Sequence, residues 1–267
     1  MTRAVLATAL PAALCATALL LAPTADASRW HPKPTTAPWQ WQLQGKIDTS
    51  IDAGVYEVDG FEVAAGTVAK LHRQGRRVIC YLDVGSWESY RPDAGRFPKA
   101  VLGRAYEGYP DERWLDIRRL DILIPIMRDR LQRCADKGFD GVDPDNVNGY
   151  ENDTGFPLTA ADQVAFDRAL ADVAHELGLA VTLKNTGGLV PRLRAWFDGA
   201  VVESCFRYHE CALYAPFVAA DKPVYVIEYD RRPGRFCAEA RRRRFSAIFK
   251  RLSLSAFRRT CGGAARR

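Results

Sequence analysis

The sequence predicts an α/β chain folded as a single (β/α)8 TIM-type barrel, and three observations carry that reading. Short apolar runs rich in β-branched residues alternate with amphipathic helical stretches along the chain. The helical stretches stop at a glycine just before the next run, at Gly75, Gly138 and Gly178. Eight such runs fit into roughly 230 residues, the length a barrel of parallel strands needs. A doubly wound open sheet is the competing arrangement, but no GxGxxG follows an early run.

Ahead of the first strand, Arg3 and the apolar stretch Ala4–Ala22 lead to Ala25-Asp26-Ala27, an A-x-A cleavage pattern. Residues 1–27 are therefore expected to be a secretory signal and the protein extracellular. Pro11 interrupts the stretch and argues against a membrane anchor. Residues 28–38, SRWHPKPTTAP, read as a flexible leader.

Trp39–Gln44 is the first expected strand and Val55–Val58 the second. A helix over Thr67–Gln74 leads to a third, buried strand at Arg77–Val84. A helix over Ile122–Lys137 precedes Phe139–Asp143. Thr159–Leu177 has a helical period, with Thr159 as N-cap and Asp162 in the first turn. Leu179–Lys184, Ala200–Ser204 and Val224–Tyr229 follow as strands, and Phe245–Leu252 is the weakest-patterned eighth. The barrel domain is placed at 39–257, with 258–267 as a basic C-terminal tail.

In a barrel, functional side chains lie at the C-terminal ends of strands. The sequence loads those ends with Asp83, Asp143, Asp145, Asn146, Lys184, Asn185, Glu203 and Glu228. The densest group is in GFDGVDPDNVNGY (138–150), where Asp143 and Asp145 project to one side of an extended chain and Pro144 ends regular pairing. Crowded acids cost repulsion and desolvation, so folding alone has little use for them. Aromatic residues fall in the same loops: Trp41, Tyr81, Trp87, Tyr208 and Tyr229 among them. Their faces suit the C–H faces of sugars, while carboxylates and amides bind hydroxyl or amino groups. Paired carboxylates without a serine elbow, phosphate loop or metal-ligand spacing point to glycoside hydrolysis. The four histidines form no convincing triad.

Six cysteines remain beyond the signal, an even number that favours disulfides in an exported chain. Cys205–Cys211 and Cys237–Cys261 are the natural local pairs; Cys80 and Cys134 are left open between a bond and two buried thiols. No CxxC or His-rich spacing accompanies them, so no zinc site, and no cofactor, is expected. The net charge of +6 is uneven: residues 231–267 hold thirteen Arg/Lys against Glu239 alone, leaving about −6 on residues 28–230. Nucleic acid is not an expected partner of an exported chain without a recognition helix. The basic tail suits peripheral contact with an anionic cell wall, and the acidic remainder a cationic substrate.

The chain resembles glycoside hydrolase family 114, the secreted endo-α-1,4-polygalactosaminidases. The resemblance is carried in order by WQWQLQG (39–45), VICYLDVGSWESYRPD (78–93), ERWLDIR (112–118), GFDGVDPDNVNGY (138–150), LKN (183–185), VVESCFRYHEC (201–211) and KPVYVIEY (222–229). It implies a (β/α)8 barrel and cleavage of α-1,4-linked galactosamine-containing polysaccharide; the expected partner is that cationic polysaccharide, and the chain is expected to be a monomer. It also implies catalytic acids at Asp145 and Glu203, read as nucleophile and general acid/base with retention of configuration. Exchanged roles, and Asp143 in place of Asp145, stay open. Asp83, Asp143, Asn146, Lys184, Asn185, Tyr208, Glu228, Trp41, Tyr81 and Trp87 are the expected substrate-binding residues. A polysaccharide-binding barrel without activity, or a hydrolase of another α-linked sugar such as an α-galactosidase, are the alternatives.

Overall fold

The computed structural model describes Met1 and residues 29–261. The expected secretory signal, Met1 apart, and residues 262–267 of the expected tail lie outside the described residues.

Eight parallel strands run in barrel order: β1 (Trp39–Gln42), β2 (Val55–Asp59), β3 (Arg77–Asp83), β7 (Gly141–Asp145), β8 (Ala180–Lys184), β9 (Gly199–Glu203), β10 (Val224–Glu228) and β11 (Ser246–Phe249). Helices α1 (Ala65–Arg73), α2 (Leu120–Asp136), α3 (Ala160–Glu176), α4 (Val190–Leu193), α5 (Cys205–Tyr208), α6 (Ala215–Ala219) and α7 (Cys237–Arg243) lie between them. The fold is a (β/α)8 TIM-type barrel. Thr159 caps α3 in a reciprocal box with Asp162, as the sequence signals.

Strand alternation divides the apolar residues into two clusters. Val58, Val78, Cys80, Leu82, Val142, Leu183 and Val202 point outward and pack under the helices. Trp39, Trp41, Ile79, Val201, Tyr225, Ile227 and Ile248 point inward and fill the barrel. The strand exits therefore stand on a packed plug rather than on a pore.

Pro144 does not end pairing as expected: β7 continues through it, with Leu82 opposite Pro144 and Asp83 opposite Asp145. Three further features depart from the sequence reading. Between β3 and α2 the chain builds a small antiparallel sheet of β4 (Ser86–Glu88), β5 (Leu102–Tyr106) and β6 (Tyr109–Leu115), ordered β4-β6-β5. No expected element covered it. The leader is docked rather than free: Arg29 pairs with Asp198 at 3.0 Å, and Trp30 packs against the interior cluster.

The third departure is the domain boundary. Residues 254–260 seal the seam beside β1: Leu43 and Gln44 N–H donate to Leu254 O, and Gln40 Nε2 donates to Ala256 O. Arg258 donates to Trp39 O, and β12 (Arg259–Thr260) pairs antiparallel with β11. Residues 258–261 thus belong to the domain. Three disulfides join Cys80 to Cys134, Cys205 to Cys211 and Cys237 to Cys261, which resolves Cys80 and Cys134 as a pair.

Candidate active site

The chain turns abruptly at three adjacent strand ends. Asn146, Asn185 and Ser204 take left-handed φ of 60°, 50° and 57° immediately after Asp145, Lys184 and Glu203 or within one residue of them. Asparagine tolerates this region better than most residues, which accounts for the Asn found after two of the strands. Gly85 lets the loop after β3 lie against this corner, because a Cβ there would fall 1.8 Å from Asn146 O. Val84 and Gly85 N–H groups then donate to Asp145 O.

A cleft of about 360 Å³ opens over these ends. At its floor, Lys184 Nζ lies 3.0 Å from Asp145 Oδ1, 3.4 Å from Glu203 Oε2 and 3.7 Å from Asp143 Oδ2. The ammonium also sits 5.0 Å from the Trp41 ring centre and 5.4 Å from that of Tyr81, within cation–π reach. Tyr81 OH donates to Asp145 Oδ2 at 2.7 Å, and Asn146 N–H to Asp145 Oδ1 at 2.8 Å. Across the cleft Tyr229 OH donates to Glu203 Oε1 at 2.5 Å, and Asn185 Nδ2 to Oε2 at 3.3 Å.

These contacts divide the acids electrostatically. Burial would raise Asp145, but Lys184, Tyr81 and Asn146 N–H outweigh it and hold this carboxyl below the ordinary range. Burial pushes Asp143 up to about 7 against the pull of Lys184. Lys184 would lose its proton on burial alone; Asp145, Glu203, Asp143 and Glu57 instead keep it charged well above its usual range. Burial, then Glu88, Asp145 and Glu112, push Asp83 well upward.

Of the expected residues, Asp145, Glu203, Asp83, Asn146, Lys184, Asn185, Trp41 and Tyr81 line the cleft. Four do not. Asp143 is fully buried beneath it, bonded to the Thr182 hydroxyl. Glu228 alternates with the inward residues Ile227 and Tyr229, so it points out of the barrel and accepts from Phe206 N–H at 2.7 Å. Trp87 donates to Ala94 O at 3.0 Å, off the cleft wall. Tyr208 is 60% exposed outside it, with Arg207 against its ring.

The cleft has a further wall from the small sheet: Glu88, Tyr90, Tyr106, Tyr109 and Glu112, with Tyr106 stacked on Trp114. Carboxylate oxygens of Asp83, Glu88 and Glu112 come within 4.8 Å of one another. Ser86 and Asn146 donate to Asp83, and Tyr90 and Arg91 to Glu88. Leu252 and Leu254 also line the cleft. Strict alternation along VYVIEY could have selected Tyr229 over Glu228; no local pattern announces the small sheet.

The family model for glycoside-hydrolase family GH114 matches residues 20–266. Aspergillus fumigatus Ega3, solved in complex with galactosamine, is 39% identical, with a TM-score of 0.82 over 87% of this chain and 97% of that one. The glycoside hydrolase domain of PelA from Pseudomonas aeruginosa shares the fold at 14% identity and a TM-score of 0.65, over 85% of this chain and 98% of that one. An uncharacterized protein of Deinococcus radiodurans is 28% identical over 241 residues, 79% of this chain and 78% of its own. With the match spanning nearly the whole sequence, the chain belongs to glycoside hydrolase family GH114.

Proposed function

We propose that this glycoside hydrolase is secreted, cuts internal bonds of α-1,4-linked galactosamine-containing polysaccharide, and retains anomeric configuration through Asp145 and Glu203. The observation that carries the reading is the sharing of Lys184 by these two carboxylates in one cleft. Held ionised by the ammonium and the Tyr81 hydroxyl, Asp145 suits a nucleophile that attacks the anomeric carbon. Glu203 faces it and protonates the departing glycosidic oxygen. It then takes a proton from the water that cleaves the glycosyl–Asp145 ester. Because both acids touch one ammonium, at 3.0 and 3.4 Å, their nearer oxygens are no farther apart than those distances laid end to end. That limit is compatible with the carboxyl spacing of about 5–5.5 Å used for retention, and the product anomer decides between it and the roughly 6.5–9.5 Å that admits a water between the acids.

Galactosamine as the substrate sugar is supported by the ligand of Ega3 and by the acidic wall, which suits an ammonium. Three disulfides support export, and among the described residues no helix is long and apolar enough to cross a membrane.

The test is hydrolysis of a deacetylated α-1,4-galactosamine polymer with the product anomer followed by NMR. Asp145→Asn and Glu203→Gln should each lower kcat by ~10³-fold or more while Tm stays near that of the unsubstituted protein. Activity retained in either variant rules out this pair, and an inverted first product rules out retention.

A further inference from the structure

A second cavity, of about 550 Å³, lies beside the catalytic cleft at the exits of β1 and β2. Leu43, Gln44, Asp59, Tyr90 and Arg91 line both, so the two spaces are continuous across this group. The walls of the second cavity are held by buried polar side chains. Gln42, at the end of β1, donates from Nε2 to Gln44 O at 3.1 Å and to Lys46 O at 2.9 Å, and accepts from Asp48 N–H at 3.2 Å. That fixes the loop after β1. Asp59, at the end of β2, accepts from Phe61 and Glu62 N–H, each at 2.8 Å, and fixes the turn into α1.

The two spaces differ in charge. Six carboxyl groups line the cleft against Arg91 and Lys184, whereas Asp59 and Glu62 line the second cavity against Lys46 and Arg91. Both acids of the second cavity already have a cation. Arg91 donates to the two Asp59 oxygens at 3.2 and 2.7 Å, and its Nη1 lies 3.8 Å from Glu62 Oε1. An ammonium entering there is repelled by Arg91 and by the exposed Lys46. The remaining lining is suited to uncharged groups: Leu43, Ile47, Val63 and Ala64 are apolar. Tyr90, shared with the cleft, is 59% exposed, and its hydroxyl donates to Glu88 Oε1 at 2.6 Å. The Arg91 guanidinium carbon stands 5.1 Å from the centre of its ring. With that cation on one face, the ring can take the C–H face of a sugar on the other but is a poor partner for a second cation.

We propose that the second cavity is a distal subsite for an N-acetylated sugar of the same chain whose free-amine sugar occupies the cleft, so that the best substrate is partly rather than fully deacetylated polymer. The proposal rests on the cleft being the place where a galactosamine-containing polymer is cut. Acetylation removes the charge that Lys46 and Arg91 repel, and it adds a methyl group that the apolar lining can bury. The cleft keeps its preference for an ammonium, so the two spaces read opposite states of the same amino group.

The experiment measures kcat/KM on α-1,4-galactosamine polymer of one length in three forms: fully deacetylated, half N-acetylated and fully N-acetylated. Steering by the acidic cleft alone ranks the fully deacetylated form first. The half-acetylated form should instead exceed it by about five-fold, and mass spectrometry should find an N-acetylated residue at a fixed distance from the cut. Lys46→Glu should shrink this preference below about two-fold by raising the rate on the fully deacetylated form. Ala64→Trp, at an exposed position, should fill the cavity and shrink the preference by lowering the rate on the half-acetylated form. A general loss of stability cannot move the two rates in these opposite senses. Preference for the fully deacetylated form, acetyl groups at random positions beside the cut, or a preference unchanged in both variants overturns the subsite and leaves the cleft reading standing. Cleavage of none of the three forms overturns the substrate reading itself, and the subsite with it.

Discussion

Asp83 sits in the cleft wall with two donors on one oxygen and one on the other, yet burial and three neighbouring acids keep its carboxyl well above the ordinary range. Glu112, across the same wall, is raised by burial as well, though the Ser86 hydroxyl opposes this. An ammonium arriving there replaces repulsion between acids by attraction, which favours ionisation. Binding a galactosamine oligomer should therefore release protons, and affinity should rise with pH until these acids are ionised in the free protein. Calorimetric titration of the inactive Glu203→Gln variant, in buffers of different ionisation enthalpy, reads this directly. The observed enthalpy should change with the buffer, in the sense of proton release, and the dependence should weaken in Asp83→Asn. A buffer-independent enthalpy would mean that Asp83 and Glu112 are ionised before the sugar arrives or stay neutral after it.

The strands, long helices and glycine stops are legible in the sequence because each is a local pattern of period 2 or 3.6 with a local terminator. Asp145, Lys184 and Glu203 are legible for the same reason: a charged residue ending an apolar run is a local signal. Glu228 misleads because the run VYVIE makes it look like the next such ending, whereas alternation from Tyr225 and Ile227 turns it outward to Phe206 N–H. The small sheet is invisible locally, since β5 and β6 are mostly exposed or half-buried, lack a sustained apolar alternation and gain their strand character from pairing. Disulfide connectivity depends on through-space approach, as with β3 and α2, joined by Cys80 and Cys134 across 54 residues. Loop-closure entropy makes that bond worth about 4 kcal/mol, and the six-residue Cys205–Cys211 loop about 2 kcal/mol. Replacing both cysteines by alanine should lower urea stability in that order. The Cys205–Cys211 variant should show the larger loss of kcat, because its loop begins two residues after Glu203. If the two pairs lower kcat equally when compared at matched stability, the short disulfide has no part in holding Glu203.

At the scale of the molecule, charge is segregated along the sequence: about −6 over residues 28–230 and +12 over 231–267. The acidic part supplies the cleft floor and the small-sheet wall, while Arg231, Arg232 and Arg235 line a separate pocket with Asp230. A polycation is therefore drawn toward the cleft and repelled by the arginines of that separate pocket. Such steering acts over a Debye length, about 10 Å at 0.1 M salt and about 3 Å at 1 M. Raising sodium chloride from about 0.05 M to about 0.5 M should lower kcat/KM on deacetylated polymer by roughly ten-fold and leave kcat nearly constant. The fully N-acetylated polymer carries no ammonium, so whatever rate it supports should be insensitive to the same change. Equal salt dependence for both polymers would mean that the cleft selects its substrate by shape and hydroxyl contacts, with the acidic wall serving the fold alone.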